Sequence, residues 1–290
     1  MGPVTEVTPR LARAAWGTLE TMHVVAFFAP EVQQAYDAMN VRGTRAGYFA
    51  ARASALGPVG PEPVVATFYV FAPSLVERVV PRVWAAAEPA AWAAARADGV
   101  RTALHRVLGD QDVTEAVGLA REVCGALGPA GRPLYAAWAQ ADWPTDPLLQ
   151  LWHAALLVRE HRGDGHVATL MAAGLDPVEA LVTGGLASNS LEFVRTTRGW
   201  TDEEWAAGVE RCRARGLVDG AVEGAGDEVA LTPAGQDLRR QVEETTDALA
   251  VEGWTALGEE RTRRLVELGR PLRQQLLDSG VLPDWIRSRG

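Results

Sequence analysis

The densest run of groups able to move protons or hold charge lies between Trp152 and Ala168. It carries His153, His161 and His166, three of the five histidines, with Arg159, Glu160, Arg162 and Asp164 among them. An imidazole titrates near neutrality and can take and return a proton. A carboxylate beside it fixes its tautomer, and a guanidinium binds carboxylate, sulfate or phosphate through a planar fork of donors. Three uses of the cluster are open. His161 and His166 with Asp164 or Glu160 as metal ligands match no standard spacing such as His-Glu-x-x-His. His166 or His161 as general base, oriented by Asp164 or Glu160 with Arg159 and Arg162 holding an anion, is a catalytic use. Asp164 as a helix cap, with Arg162 in a surface ion pair, is a structural one.

The apolar spacing of Leu148, Leu149, Trp152, Ala155 and Leu156 predicts a helix over 148–161. Gly163 and Gly165 are expected to interrupt it over 160–166 and to expose backbone N–H groups as an anion nest, with a new helix from His166. Upstream, helices are expected over 10–40 with a restart at Pro30, then at 48–56, 63–71, 73–85, 88–98, 100–108 and 113–126. Period-two alternation is nearly absent, so strands should be few. The remaining histidines, His23 and His105, are expected to be buried and satisfied.

The second half repeats the order of the first. A slide of 116 places Thr67 on Thr183, Ser74 on Ser190, Leu75 on Leu191 and Trp84 on Trp200. A slide of 118 places Gly47 on Gly165 and Tyr48 on His166. The shared order predicts two helical repeats, 1–130 and 131–260, related by a pseudo-twofold axis, with a helical tail over 261–290. A cavity at the seam would join Arg42, Arg45 and Tyr48 to Arg162, Asp164 and His166, with Ser188-Asn189-Ser190 and Thr67-Tyr69 nearby.

Within the second repeat, Thr201-Asp202-Glu203-Glu204 is an N-cap with an acidic first turn, and Gly216 is a left-handed stop. Leu217–Val222 and Glu228–Leu231 form a hairpin, and Thr232-Pro233-Ala234-Gly235 opens a helix to about Ala250. This order over 187–250 resembles the winged helix of the MarR-type regulators, and the whole chain resembles an actinobacterial group of helix-turn-helix proteins. The resemblance implies a ligand-responsive DNA-binding regulator. The residues argue against DNA. The presumptive reading helix sets Asp202, Glu203, Glu204 and Glu210 against Arg211, Arg213 and Arg215. The wing carries Asp219, Glu223, Asp227 and Glu228 with no basic residue, although phosphate neutralisation supplies most DNA affinity. Dimerisation or scaffolding is the remaining use of such a module.

Composition bounds the rest. The 290 residues carry a net charge of −9, which repels a nucleic-acid backbone, and all 28 basic residues are arginine. Without lysine there is no Schiff-base chemistry. No 18-residue apolar run marks a membrane span, and Met1–Arg13 has no signal-like apolar core, so a cytoplasmic location is expected. Cys124 and Cys212 are expected to be buried free thiols. Seven tryptophans (84, 92, 138, 143, 152, 200 and 205) are expected to supply much of the core. The sequence thus predicts a mainly α protein binding a small anionic organic molecule, without metal or nucleotide cofactor. Elimination, cyclisation or isomerisation by a histidine base would be its reaction, with His166, His161 and Asp164 catalytic and Arg42, Arg45, Tyr48, Arg159 and Arg162 holding substrate.

Overall fold

A computed structural model describes residues 7–41, 45–220, 229–283 and 286. Arg42 and the wing residues Glu223, Asp227 and Glu228 lie outside these. The chain is mainly helical: α1 (Pro9–His23), α2 (Val25–Phe28), α3 (Pro30–Asp37), α4 (Ala46–Ala53), α5 (Pro61–Phe68), α6 (Pro73–Ala86), α7 (Pro89–Leu108) and α8 (Thr114–Gly125). Then come α9 (Pro133–Trp138), α10 (Pro147–Ala172), α11 (Pro177–Ala187), α12 (Leu191–Thr197), α13 (Asp202–Ala214), α14 (Pro233–Ala248), α15 (Glu252–Leu257) and α16 (Glu259–Asp278). Two short strands, β1 (Val218–Asp219) and β2 (Ala230–Leu231), pair antiparallel with Val218 opposite Leu231.

Local chemistry explains where most helices start. α1, α3, α5, α6, α7, α9, α10, α11 and α14 all begin on proline. At that position its fixed φ suits the helix and its missing N–H is no loss. Asp176 and Thr201 each build a capping box, with Glu179 and Glu204 reaching back to the cap. Such a cap contributes about 1 kcal/mol. Gly216, at φ 68°, closes α13: its N–H donates to Arg213 O and that of Leu217 to Cys212 O, a Schellman stop.

α10 is the axis of the fold. Most of its 26 residues are buried, and α1, α7, α8, α9 and α14 pack around it. It also joins two hydrophobic cores. The larger spans α1 to α10 with α15 and α16; the smaller is built by α11, α13, the hairpin and α14 around Leu175, Val182, Cys212 and Val242. Residues 69–72 strap the two together. The Tyr69 hydroxyl donates to Leu175 O at 2.5 Å, Trp200 Nε1 donates to Val70 O at 3.0 Å, and Ala72 N–H donates to Arg198 O at 2.9 Å.

Four expectations are corrected here. α10 is not interrupted over 160–166. Gly163 and Gly165 stay helical, and a Cβ on Gly165 would lie 1.8 Å from Arg132 Nη1. The glycine thus makes room for Arg132, which crosses the helix and donates to His161 O and Leu249 O, each at 2.7 Å. No nest forms, because those N–H groups remain in the helical ladder. Segments 88–98 and 100–108 are one helix, since Gly99 packs where a Cβ would stand 2.7 Å from Val32 Cα. The pairing of Gly47 with Gly165 as equivalent junctions fails: one lies in the first turn of α4 under the Tyr36 ring, the other deep inside α10. His105 is exposed rather than buried, its Nε2 2.6 Å from the Asp146 carboxylate that caps α10.

Other expectations hold, save that His23 is buried without the hydrogen bonds expected of it. Cys124 and Cys212 are buried and free. Trp92, Trp138, Trp152 and Trp205 are buried, while Trp84, Trp143 and Trp200 are half-buried. Arg96, fully buried, lies over the Trp138 and Trp152 rings at 4.4 and 5.2 Å from their centroids. His23 is buried edge-on to Phe27 with Glu20 Oε2 3.5 Å from Nδ1, but neither ring nitrogen makes a hydrogen bond among the described residues. No single described helix is long and apolar enough to cross a membrane. α10 and α11 pass that test only as a pair bent by 111°, and α10 is enclosed by protein.

Candidate functional site

One face of α10 borders a cavity of about 2080 Å³, closed by parts of α1, α2, α3, α4, α11, α12, α14 and α16. A helix turns 100° per residue, so positions 159, 162 and 166 share a stripe, and Arg159, Arg162 and His166 all line the cavity. Arg45 and Tyr48, from the start of α4, face it from the other side, joined by Ser188 and Asn189 after α11. Among the described residues ten arginines and four carboxylates line the cavity, an excess of six positive charges in a chain of net charge −9.

Not every predicted residue is there. His161 and Asp164 point away, because positions 160, 161 and 164 occupy the other sides of the same helix. The His161 ring sits edge-on to Tyr135 with Glu252 Oε1 2.9 Å from Nε2. Asp164 accepts from the N–H groups of Leu134 and Tyr135, at 3.0 and 2.9 Å, and so caps α9 across space. Burial pushes its carboxyl up to about 6 in spite of those donors. Neither can orient His166. Thr67 and Tyr69 do not reach the cavity wall either, since Tyr69 is committed to the strap.

Two charged groupings organise the wall. In the first, buried Glu160 takes Arg52 Nε at 2.9 Å on one oxygen, and Arg52 Nη2 at 2.8 Å and Arg159 Nη1 at 2.9 Å on the other. Although burial opposes ionisation, these guanidiniums hold the Glu160 carboxyl far below its ordinary range. Arg52 Nη1 also donates to the Tyr48 hydroxyl at 3.0 Å. Burial would raise the Tyr48 phenol, but Arg52, Arg159 and Arg198 together outweigh it and lower it.

In the second, Glu243 on α14 is shared by Arg13, Arg162 and Arg239, while Asp247 takes Arg162 at 2.6 Å and Arg13 at 3.2 Å. His166 Nδ1 lies 2.9 Å from Thr246 Oγ1, whose own hydrogen goes to Val242 O at 2.7 Å. Thr246 must therefore accept, so Nδ1 carries the proton and Nε2 is the remaining acceptor. Burial, with Arg239, Arg162 and Arg159 adding to it and Glu243 opposing, pushes His166 down to about 4, and it is neutral at pH 7.

Sequence reasoning did not single out Arg198, which follows α12. It lines the cavity and is partly buried. Burial, reinforced by Arg45, Arg52 and Arg159, pushes it down to about 10, which leaves it cationic at pH 7. Among the described residues no three His, Cys, Asp or Glu side chains converge as a metal set.

A family model described as Helix-turn-helix family matches residues 12–283. No curated protein and no solved structure matches the chain.

Proposed function

Starting from a chain that belongs to this helix-turn-helix family, we propose that it binds a small anionic organic molecule in the arginine-lined cavity. The observation that carries this reading is the excess of positive charge lining one open cavity of a net-acidic protein, with Arg162 and Arg239 on its wall buried. Guanidiniums withdrawn from water are favourable only when an anion or an acceptor meets them. Phe27, Phe28 and Phe193 on the same wall suit an apolar body on the ligand. Small-ligand pockets usually span about 300–1,000 Å³, so the cavity has room for a ligand with solvent around it.

Binding is the core of the proposal. Conversion by His166 as general base would work best with a pKa near 7, and at about 4 it is better placed to accept a hydrogen bond from a ligand hydroxyl or amide. The test is calorimetry with a panel of aryl carboxylates, aryl sulfonates and aryl phosphates. We expect one-to-one, salt-sensitive binding of at least one member. Arg159→Ala should weaken it by about 1.5–3 kcal/mol, as for one charged hydrogen bond. No binding by any member, or equal affinity in the variant, would reject the cavity as an anion site.

The family also favours a second reading, a ligand-responsive regulator. In support of a MarR-like winged helix, α11, α12 and α13 are followed by the paired strands and then α14. In support of duplication, Pro61 and Pro177 open α5 and α11 at the 116-residue offset of the sequence matches. The charges on α13 weigh against direct DNA reading. Arg211 is held by Asp176 at 2.7 Å, Arg213 pairs with Glu210, and Arg215 pairs with Glu179 at 2.9 Å. These cations are already neutralised before a phosphate arrives. A gel shift at physiological salt should therefore show no binding tighter than the nonspecific range of ~10⁻⁴–10⁻⁶ M. A defined footprint with steep salt dependence would instead establish the regulator.

A further inference from the structure

We infer that Arg45, Tyr48, Arg159 and Arg198 form a subsite for a doubly charged oxyanion, the phosphoryl group of a phosphorylated organic molecule. The inference rests on the cavity reading above and names the chemistry of its ligand.

The two arginines beside Tyr48 that have no ion pair among the described residues point to a dianion. Arg52 donates to the Tyr48 hydroxyl, Arg45, Arg159 and Arg198 share the cavity wall with it, and Glu160 is the carboxylate that answers Arg52 and Arg159. Glu160 is fully engaged by the bidentate Arg52 and by Arg159. Arg45 and Arg198 make no ion pair among the described residues. For Arg198 the deficit is sharp: its Nη1 finds only the Thr197 hydroxyl at 2.7 Å, and its Nε has no hydrogen-bond partner. A buried donor left unmatched is unfavourable, and for a charged group more so. Two uncompensated cations ask for about two negative charges. A phosphate monoester supplies these at pH 7 and a single carboxylate does not.

The geometry suits the same group. Arg198 lies over the Phe71 and Phe193 rings, 4.7 and 5.5 Å from their centroids, which fixes the plane of its fork. Tyr48 receives Arg52 Nη1 on its oxygen and has its hydrogen left to give. That hydrogen and the arginine forks are donors on the cavity wall, the set a tetrahedral oxyanion with several acceptor oxygens requires. The Phe27 ring, 5.5 Å from that of Tyr48, and Phe193 offer apolar surface for the organic part.

Calorimetric titration of the full chain with inorganic phosphate at pH 7.5 tests this. Phosphate should bind, acetate should bind at least tenfold more weakly, and Arg198→Gln and Arg45→Gln should each weaken phosphate by roughly tenfold or more. Tyr48→Phe should weaken it by a smaller factor, about threefold or more, as loss of one neutral donor. Arg213→Gln, on α13 and away from the cavity, should leave phosphate affinity unchanged. If Arg198→Gln does not fold, Arg45→Gln and Tyr48→Phe decide. Absence of phosphate binding, acetate binding as tightly as phosphate, or full affinity in the folded variants would each overturn the subsite. If an aryl sulfonate or carboxylate still binds when phosphate does not, the subsite falls and the cavity reading stands. If the whole panel fails with phosphate, both fall together.

Discussion

Glu160→Leu is expected to destabilise the protein by about 3–5 kcal/mol, the usual penalty for removing one partner of a buried ion pair. Glu160 is fully buried and answers both Arg52 and Arg159. Arg52 is itself buried and doubly bonded to it, so the leucine would strand a desolvated guanidinium in the core. The loss comes from the stranded charge rather than from a large net attraction in the pair. The double variant Arg52→Met with Glu160→Leu should therefore recover much of the stability, because an apolar pair of similar volume often replaces a buried ion pair at little loss. Urea denaturation of both variants checks this. A single variant within 1 kcal/mol of the parent, or a double variant no better than the single, would contradict the described burial.

Acidification from pH 6.5 to 4 should remove stability on the order of 3 kcal/mol. Burial, with Arg96 and Arg121 adding to it, pushes His153 down to about 4, and His166 lies at about 4 as well. In this interval the unfolded chain protonates these rings and the folded chain does not. The unfolded state then binds more protons, and stability falls as pH falls. Each histidine contributes on the order of 3 kcal/mol, at 1.36 kcal/mol per pKa unit. Asp164 opposes them by a similar amount, since a carboxyl raised to about 6 favours the fold more as it protonates. His23 and His161, both lowered, act with the first two, and Glu160 adds to the loss below its ordinary 4.5. Chemical denaturation at pH 7 and pH 5 reads the slope, and His153→Leu should flatten it. A flat profile for the parent would mean that these rings are solvated.

Helix starts and stops were legible because they are local. The starts at Pro30 and Pro233, the Thr201 cap, the Gly216 stop and the presence of a two-stranded pairing are read from neighbours in sequence. Helix interiors were not. Gly163, Gly165 and Gly99 each weaken a lone helix by up to about 1 kcal/mol, which reads as a break. The tertiary packing that overrides this comes from Arg132 and Val32, far away in sequence. That one misreading also scattered the site. With α10 continuous, 159, 162 and 166 fall on one stripe, while His161 and Asp164 face other partners. Arg45, Tyr48, Arg159, Arg162 and His166 line one cavity, and Arg42 lies outside the described residues. Arg198 had no local signal, because its isolation from carboxylates exists only once the residue after α12 lies over the distant Phe71 ring.

The absence of lysine reaches further than the chemistry it excludes. Every cation on the cavity wall is a guanidinium, and even Arg198, at about 10, stays charged throughout the physiological range. Amine-directed acylation has no side chain to act on, so the wall cannot be retuned in that way. The pH dependence of anion capture near neutrality would then be set by the guest's own ionisation, and ionic strength would be the main external control on affinity.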